Sequence, residues 1–423
     1  MSATKAALII DRLGERGEGI ARTPEGLVFI PYALPGEAIL AEIDGSRGKL
    51  AAIIAASPDR IAARCPYFGG CGGCAVQTLA APAYAQWKRD LVASALCHAG
   101  LSAEIMALAD AHGEGRRRAA FHVRYPGGHP STGFMEARAH TIVEIDACPL
   151  LAPSLEKALP VARAIATALA PSQKPLDILM TGTQSGLDAD IRGHGPFNQK
   201  QAQELVRIAF EFGLARLSNH GEVLIAQRAP LLAIGKATVI LPPRAFLQAT
   251  KAGEEALAAR VCAALAGAKH IADLFSGIGT FALRLAEFAA VDAFDLDETA
   301  LAALAKGAHA AHLRPAAVRR RDLFRQPLSP KELEIFDAAV FDPPRAGAEN
   351  QARALAASPV PLIAAVSCNP KTFARDAAIL CAAGYELARV EPIDQFRHSR
   401  HVEVFACFRR PVPCRRKRRP LLG

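Results

Sequence analysis

Ile271-Ala272-Asp273-Leu274-Phe275-Ser276-Gly277-Ile278-Gly279-Thr280 reads as a short apolar strand running into a Gly-x-Gly turn that opens a helix. Glycines at such a turn let the backbone approach a ligand closely, because no Cβ stands in the way. Alone the signal is weak, since a Gly-x-Gly is as often a tight structural turn and the third glycine of a dinucleotide fingerprint is missing. Its surroundings carry more weight. From about Pro242 onward, apolar strands are expected at residues 270–275, 291–295, 338–342 and 362–367, with helical stretches between them. That alternation implies a parallel, doubly wound α/β sheet, whose ligands bind at the carboxyl ends of the strands. Asp295 ends the strand after the glycine turn, placed to accept hydrogen bonds from ribose hydroxyls. Asp322 follows the next expected strand and is placed to hold an adenine amino group, and Asp342-Pro343-Pro344-Arg345 closes a fourth.

Upstream the rhythm differs. Short β-rich runs at residues 8–10, 26–30, 38–43 and 51–54, broken by Gly and Pro turns, predict a small β-barrel. A helix near residues 83–99, strands near 117–125 and 139–145, and helices near 155–170 and 199–212 predict a mixed α+β central region. The expected division is a barrel over 1–58, a central domain over 59–240, an α/β domain over 241–410 and a basic tail over 411–423. With 51% hydrophobic and 22% charged residues in 423, the chain has the composition of a globular protein rather than a disordered one. No apolar run reaches the ~18 residues of a membrane span, and no signal-peptide core opens the chain, so a cytoplasmic location and no membrane partner are expected. Seven of the cations behind the +9 formal charge lie in the last fifteen residues, which leaves only +2 for the rest. That tail is either a solvated extension or a segment that slides along a phosphate backbone.

Two further residues carry chemistry. Val366-Ser367-Cys368-Asn369-Pro370 places a cysteine at the end of an apolar strand, on the same edge as the glycine turn and inside a polar turn where a core residue is out of place. His401-Val402-Glu403-Val404 sets a carboxylate in an apolar run, where desolvation would raise its pKa toward that of a useful base; the alternative is an edge-strand glutamate facing water.

The aspartate at the start of the glycine turn, the acid after the second strand and the Pro-Pro turn after the fourth resemble the S-adenosylmethionine-dependent methyltransferases of Rossmann-like fold. Phe246-Leu247-Gln248, Phe341-Asp342-Pro343-Pro344-Arg345, Ser367-Cys368-Asn369-Pro370-Lys371-Thr372-Phe373-Ala374-Arg375-Asp376 and Asp394-Gln395-Phe396-Arg397-His398-Ser399-Arg400-His401-Val402-Glu403 together resemble the RNA uracil-C5 methyltransferase family. The likeness spans nearly the whole chain: the N-terminal barrel is similar to a TRAM domain, and the cysteine segment to that of the ribosomal-RNA branch. The resemblance implies that Cys368 adds to uracil C6 and that Glu403 removes the C5 proton. It also implies that Gln248, Phe275, Thr280, Asp295, Asp322 and Asp342 line the S-adenosylmethionine site, with Asp342 nearest the reacting centre. One departure is Gln248-Ala249-Thr250, where the family usually has Gln-x-Asn.

Cys65, Cys71 and Cys74 fall within ten residues, and Cys148 can supply a fourth thiolate. Four soft ligands suit tetrahedral zinc or an iron-sulfur cluster, and spacing alone does not decide. The resembling family carries a [4Fe-4S] cluster on these cysteines, with a structural role. Arg116, Arg117 and Arg118 ahead of Phe121, His122 and Tyr125 mix cations with aromatics, as single-stranded RNA binding prefers, though a solvated basic loop reads equally well. RNA is the partner the resemblance implies, ribosomal RNA ahead of transfer RNA because the family's transfer-RNA enzymes typically lack barrel and cluster, and a monomer is expected. Cytosine-C5 methylation shares the thiol chemistry. Exocyclic nitrogen methylation needs no thiol, and a non-catalytic RNA-binding protein would need neither Cys368 nor Glu403.

Overall fold

The structure, a computed structural model, describes residues 4–411 except Arg138; Cys414 and the basic residues from Arg415 onward lie outside them. Its first unit is a six-stranded sheet in which the strands Thr4–Ile9 and Arg12–Leu13 form the two edges. These edges are consecutive in the chain, and the Asp11 amide bonds to the Ile20 carbonyl at 2.8 Å, so the sheet must curl to bring its ends together. Ile10, Ala21, Val28, Ile30, Ile39 and Ala41 fill the interior of this barrel-like unit. The short strand Arg12–Leu13 and the strand Gly19–Thr23 escape the sequence reading, because a Gly- and Glu-rich turn at residues 14–18 breaks their hydrophobic alternation.

The central region is a seven-stranded sheet with the helices Ala158–Leu169 and Gln199–Glu211 packed against it around Phe121, Ile165, Ile178 and Ile191. Asn198 begins the second helix with a capping box, its side chain accepting from the Gln201 amide while Gln201 answers to the Asn198 amide; such a cap is worth about 1 kcal/mol.

The C-terminal unit is a nine-stranded sheet. Five parallel strands run in the spatial order Ala316–Arg320, Ala290–Asp295, His270–Leu274, Ala338–Phe341, Leu362–Ser367; Glu403–Arg409 extends the sheet antiparallel to them, and Glu386–Asp394 pairs antiparallel with Glu403–Arg409. Successive residues of each strand serve opposite faces. Ile271 and Val340 meet the helices Lys251–Ala264 and Glu298–Ala310, while Ala272, Leu274 and Phe341 meet Ala81–His98, Glu349–Ala357 and Pro370–Ala382. Chain order reverses between the strands His270–Leu274 and Ala338–Phe341, which sets a ligand crevice outside their carboxyl ends.

Two segments expected in the central domain are built into this unit instead. Helix Ala81–His98 packs on Pro370–Ala382, and the two-residue strands Glu104–Ile105 and Ala109–Asp110 pair with Glu386–Asp394. The hairpin Leu231–Ile234 and Ala237–Ile240 buries Leu232, Ile234, Ala237 and Val239 in the core under Glu298–Ala310. Local patterning gave the helix but not its partner, and it did not mark the hairpin, since an amphipathic element covers any apolar face of matching shape.

Candidate active site

The strand His270–Leu274 ends in a forced turn. Phe275 takes φ +67°, a left-handed conformation that costs a non-glycine residue energy, and its amide and that of Ser276 both bond to the Phe294 carbonyl at 2.9 and 3.0 Å. The two glycines that follow do different work. A Cβ on Gly279 would lie 2.7 Å from Leu304 Cγ, so this glycine serves packing, whereas a Cβ on Gly277 meets nothing within 4 Å and faces open space at the crevice. Asp295 holds the turn from the neighbouring strand, with Oδ2 accepting from the Gly277 amide and Oδ1 from the Asp297 amide, both at 2.8 Å.

Asp273 and Ser276 carry the turn's orphaned groups. Asp273 is fully buried with neither carboxylate oxygen in a formed hydrogen bond, and the Ser276 hydroxyl also lacks a partner. Burial and the nearby Asp342 push the Asp273 carboxyl up to about 8, with the Ala282 amide offsetting part of this. Unpartnered polar groups are costly in a native interior and mark places where a ligand completes the bonding. Asp322 closes its own turn, accepting from the Phe324 and Arg325 amides at 3.0 and 3.2 Å. Phe275 stacks obliquely against Phe324 at 5.5 Å, and Leu296 and Phe324 stand 55% and 42% exposed between the two aspartates. Thr280 lies at the start of the following helical turn, where its carbonyl accepts from Arg284. The glycine turn and the strand ends beside it therefore bring together acids, a hydroxyl and apolar side chains, a set that fits an adenosine-bearing cation.

Asp342, Cys368 and Glu403 come from three different strands to this edge. Burial raises the Asp342 carboxyl to about 7. Glu403, only 3% exposed, is raised to about 8, first by burial and then by Asp342. Cys368 is raised to about 11 by burial, Glu403 and Asp342, while Arg345 and the local backbone oppose the shift. It precedes Asn369, which caps the helix Pro370–Ala382 by accepting from the Lys371 amide at 3.1 Å, so the thiol stands at a helix N-terminus, where negative charge is favoured. A cavity of about 780 Å³ opens on Cys368 and is lined by Arg16, Arg345, Lys371, Arg375, Arg400 and His401. Its barrel-side wall comes from Glu15 and Arg16, and Glu15 pairs with Lys371 at 2.7 Å.

Gln395, which the sequence reading left without a role, joins these groups. It is fully buried, its Nε2 donates to Gln248 Oε1 at 2.6 Å and to Glu403 Oε1 at 3.0 Å, and its Oε1 accepts from the Thr250 amide at 3.3 Å. Its place in Asp394-Gln395-Phe396 was the available signal. Thr250, standing where the family usually has Asn, is the N-cap of the helix Lys251–Ala264, accepting from the Gly253 amide at 2.9 Å and donating to the Ala111 carbonyl at 2.6 Å.

The expected basic-aromatic surface does not form. Phe121 lies in the central core, Arg117 pairs with buried Glu254 and donates to the Gln248 carbonyl at 3.1 Å, and Arg118 donates to the Ala245 carbonyl at 2.9 Å. The hydrogen bonds of Arg117 and Arg118 to the Gln248 and Ala245 carbonyls, with the Arg117–Glu254 pair, tie the central region to the C-terminal unit. Arg116 rests over the Phe396 ring at 5.6 Å.

Cys65, Cys71, Cys74 and Cys148 line one cavity of about 460 Å³. Burial raises the thiols of Cys71, Cys74 and Cys148, Cys74 to about 11, and each is raised further by its neighbours in the set. Among the described residues, however, no three His, Cys, Asp or Glu side chains are gathered as a metal site. Nor is any described helix long and apolar enough to cross a membrane.

Comparison with known proteins agrees with this arrangement. Residues 243–410 match the tRNA (uracil-5-)-methyltransferase family. Over 96% of its length the chain is 44% identical to an uncharacterised RNA methyltransferase of Brucella suis, 98% of which it covers. It is 33% identical to a 23S rRNA (uracil(1939)-C(5))-methyltransferase of Halomonas elongata, over 98% of this chain and 92% of that one. In fold it is similar to a tRNA (uracil-54, C5)-methyltransferase of Pyrococcus abyssi solved with S-adenosyl-L-homocysteine, with a TM-score of 0.73, 20% identity, and coverage of 95% of this chain and all of the other. The glycine turn, the acids beside it and relatives matched along nearly the whole length lead to one conclusion: the chain belongs to the S-adenosylmethionine-dependent RNA uracil-5 methyltransferases.

Proposed function

We propose that the protein methylates C5 of a uridine in 23S ribosomal RNA through a covalent intermediate on Cys368, with Glu403 as the base. The observation that carries this reading is the meeting of Cys368 with Glu403 and Asp342 at the edge where the glycine turn opens. Uracil C5 is too weak a nucleophile to act unaided. As its thiolate, Cys368 Sγ adds to C6, and the C5=C6 electron pair moves to C5 and the O4 enolate. S-adenosylmethionine supplies the electrophilic methyl group that C5 takes up. Glu403 then removes the C5 proton, the electrons of that C–H bond restore C5=C6, and Cys368 leaves as thiolate. The cofactor-lining roles fall to Gln248, Phe275, Thr280, Asp295, Asp322 and Asp342. Burial, Glu403 and Asp342 push the Cys368 thiol up, while Arg345 and the helix N-terminus favour the thiolate that the addition needs. Arg16, Arg345, Lys371 and Arg400 around the cavity suit the phosphates of a strand whose target base is flipped from its stack.

Ribosomal rather than transfer RNA is supported by the Halomonas relative, and the N-terminal unit reads as the TRAM-like domain of that branch. For Cys65, Cys71, Cys74 and Cys148 the reading is a [4Fe-4S] cluster ahead of zinc. Its support is the all-thiol donor set around one cavity, wider than a single ion needs. Anaerobically purified protein should be brown, with iron and sulfide in near-equal amounts, and bleached by replacing Cys71 or Cys74; zinc without iron would overturn this part.

The mechanism is tested by Glu403→Gln, which keeps size but removes the base. Methylated RNA should remain joined to Cys368, giving a slow-migrating band that carries the S-adenosylmethionine methyl label on denaturing gels, lost again in Cys368→Ala/Glu403→Gln. Normal release of 5-methyluridine RNA by Glu403→Gln would sink the assignment. Mapping 5-methyluridine in 23S rRNA from cells lacking the protein tests the substrate, and trapping on 5-fluorocytidine rather than 5-fluorouridine RNA would favour the cytosine alternative.

A further inference from the structure

Lys88 lies in the middle of the helix Ala81–His98 and is fully buried, an expensive place for an ammonium unless every proton is met. Every proton is met, and by one segment. An ammonium has three donors, and Lys88 Nζ reaches Asp394 Oδ1 at 3.1 Å, the Phe396 carbonyl at 3.4 Å and, closest, the His401 carbonyl. Asp394 ends the strand Glu386–Asp394, Glu403 begins the next, and residues 395–402 connect them. Lys88 thus ties both ends of this connection to a helix on another part of the chain. Asp394 is held further by the Tyr84 hydroxyl at 2.6 Å and the Phe396 amide at 3.1 Å, and Tyr84 accepts from the His398 amide at 3.0 Å.

The connection carries Gln395, directly after Asp394, whose amide spends both donors on Glu403 Oε1 and Gln248 Oε1. With Oε1 engaged, Glu403 Oε2 is the oxygen with no hydrogen-bond partner among the described residues and the one free to take a proton. Lys88 is not among the walls of the cavity on Cys368, although His401, whose carbonyl it meets, is.

We infer that Lys88 is a positioning residue for the proton-removal step: by clamping Asp394 and the Phe396 and His401 carbonyls it fixes the connection that aims Gln395, and through it Glu403 Oε2, at C5. This rests on the reading of Glu403 as the base. It predicts a selective defect, because only removal of the C5 proton, which follows thiol addition and methyl transfer, requires Glu403 Oε2 to be aimed at C5. Misplacement of a reacting group by about 1 Å costs on the order of 10²-fold in rate.

The test uses the full-length protein, single-turnover kinetics with labelled S-adenosylmethionine, and two variants. Lys88→Met strands the Asp394 carboxylate, so Lys88→Met/Asp394→Asn removes both charges together and keeps an acceptor for the Phe396 amide, with the Asn amide group facing the Tyr84 hydroxyl. The expected result for the double variant, at saturating RNA and S-adenosylmethionine, is adduct formation close to the wild-type rate and release slowed about 10²-fold, so that the methyl-labelled adduct accumulates. Wild-type release, equal slowing of both steps, or failure of both variants to fold would make Lys88 a pillar of the fold and overturn the inference. Glu403→Gln run alongside separates the two levels. If it traps no adduct, the assignment of the base has failed; if it traps adduct while the Lys88 variants release normally, only the positioning role has.

Discussion

Replacing Asp273 by Asn should stabilise the protein by an amount that grows with pH. The carboxylate is fully buried without a formed hydrogen bond, and burial and Asp342 raise it to about 8. In the unfolded chain the same group ionises near pH 4, at the ordinary aspartate value. The protonated carboxyl therefore contributes its stability fully below about pH 4, and that contribution is lost at about 1.4 kcal/mol per unit as pH rises toward the folded value. Asparagine has nearly the same shape and does not titrate. Between pH 5 and pH 7 the variant's advantage should thus widen by about 3 kcal/mol, and above about pH 8 it should level off. Urea unfolding read from Trp87, the only tryptophan and part of the helix that packs on Pro370–Ala382, measures it at each pH. S-adenosylmethionine affinity should fall in the same variant, because Asp273 is one of the unpartnered groups at the glycine turn. A gap that stays constant from pH 5 to pH 8 would refute the reasoning, since it would mean that folded Asp273 is ionised throughout.

The two glycines of the turn should part company. Gly279→Ala, with φ +93° and a Cβ 2.7 Å from Leu304 Cγ, should cost about 1–3 kcal/mol in denaturant unfolding. Gly277→Ala, with φ +52° and open space around it, should cost no more than about 1 kcal/mol yet weaken cofactor binding measured by calorimetry. Gln395→Ala removes the hydrogen bond that lowers the Glu403 pKa, so the rise of adduct release with pH, expected near pH 8 in the parent, should move to higher pH in single-turnover profiles. Arg117→Met leaves Glu254 with Arg284 as its remaining cation at 2.9 Å, so the loss in unfolding free energy should fall near the low end for a broken buried pair, about 3 kcal/mol.

The sequence by itself determined the chemistry. Gly-x-Gly after an apolar strand, acids and a Pro-Pro turn at later strand ends, and a cysteine in Ser-Cys-Asn-Pro are local patterns, and their strand-helix alternation fixes one sheet with one ligand edge. That is why Asp295, Asp342 and Cys368 could be set at one sheet edge before any coordinates, while the roles proposed for Cys368, Glu403 and Asp342 came from the family resemblance. Tertiary structure decided the neighbours. Helix Ala81–His98 and the hairpin Leu231–Ile240 carry no mark of the sheet they join, because an apolar face records that it is covered and not by what. Arg116, Arg117 and Arg118 looked like a surface because charge suggests water, yet Glu254, the Gln248 and Ala245 carbonyls and the Phe396 ring draw them inward. Gln395 and Lys88 were silent for the same reason. A buried amide and a buried ammonium owe their roles to partners 147 and 306 residues away, Gln248 for the one and Asp394 for the other, and only the fold brings those partners within hydrogen-bond reach.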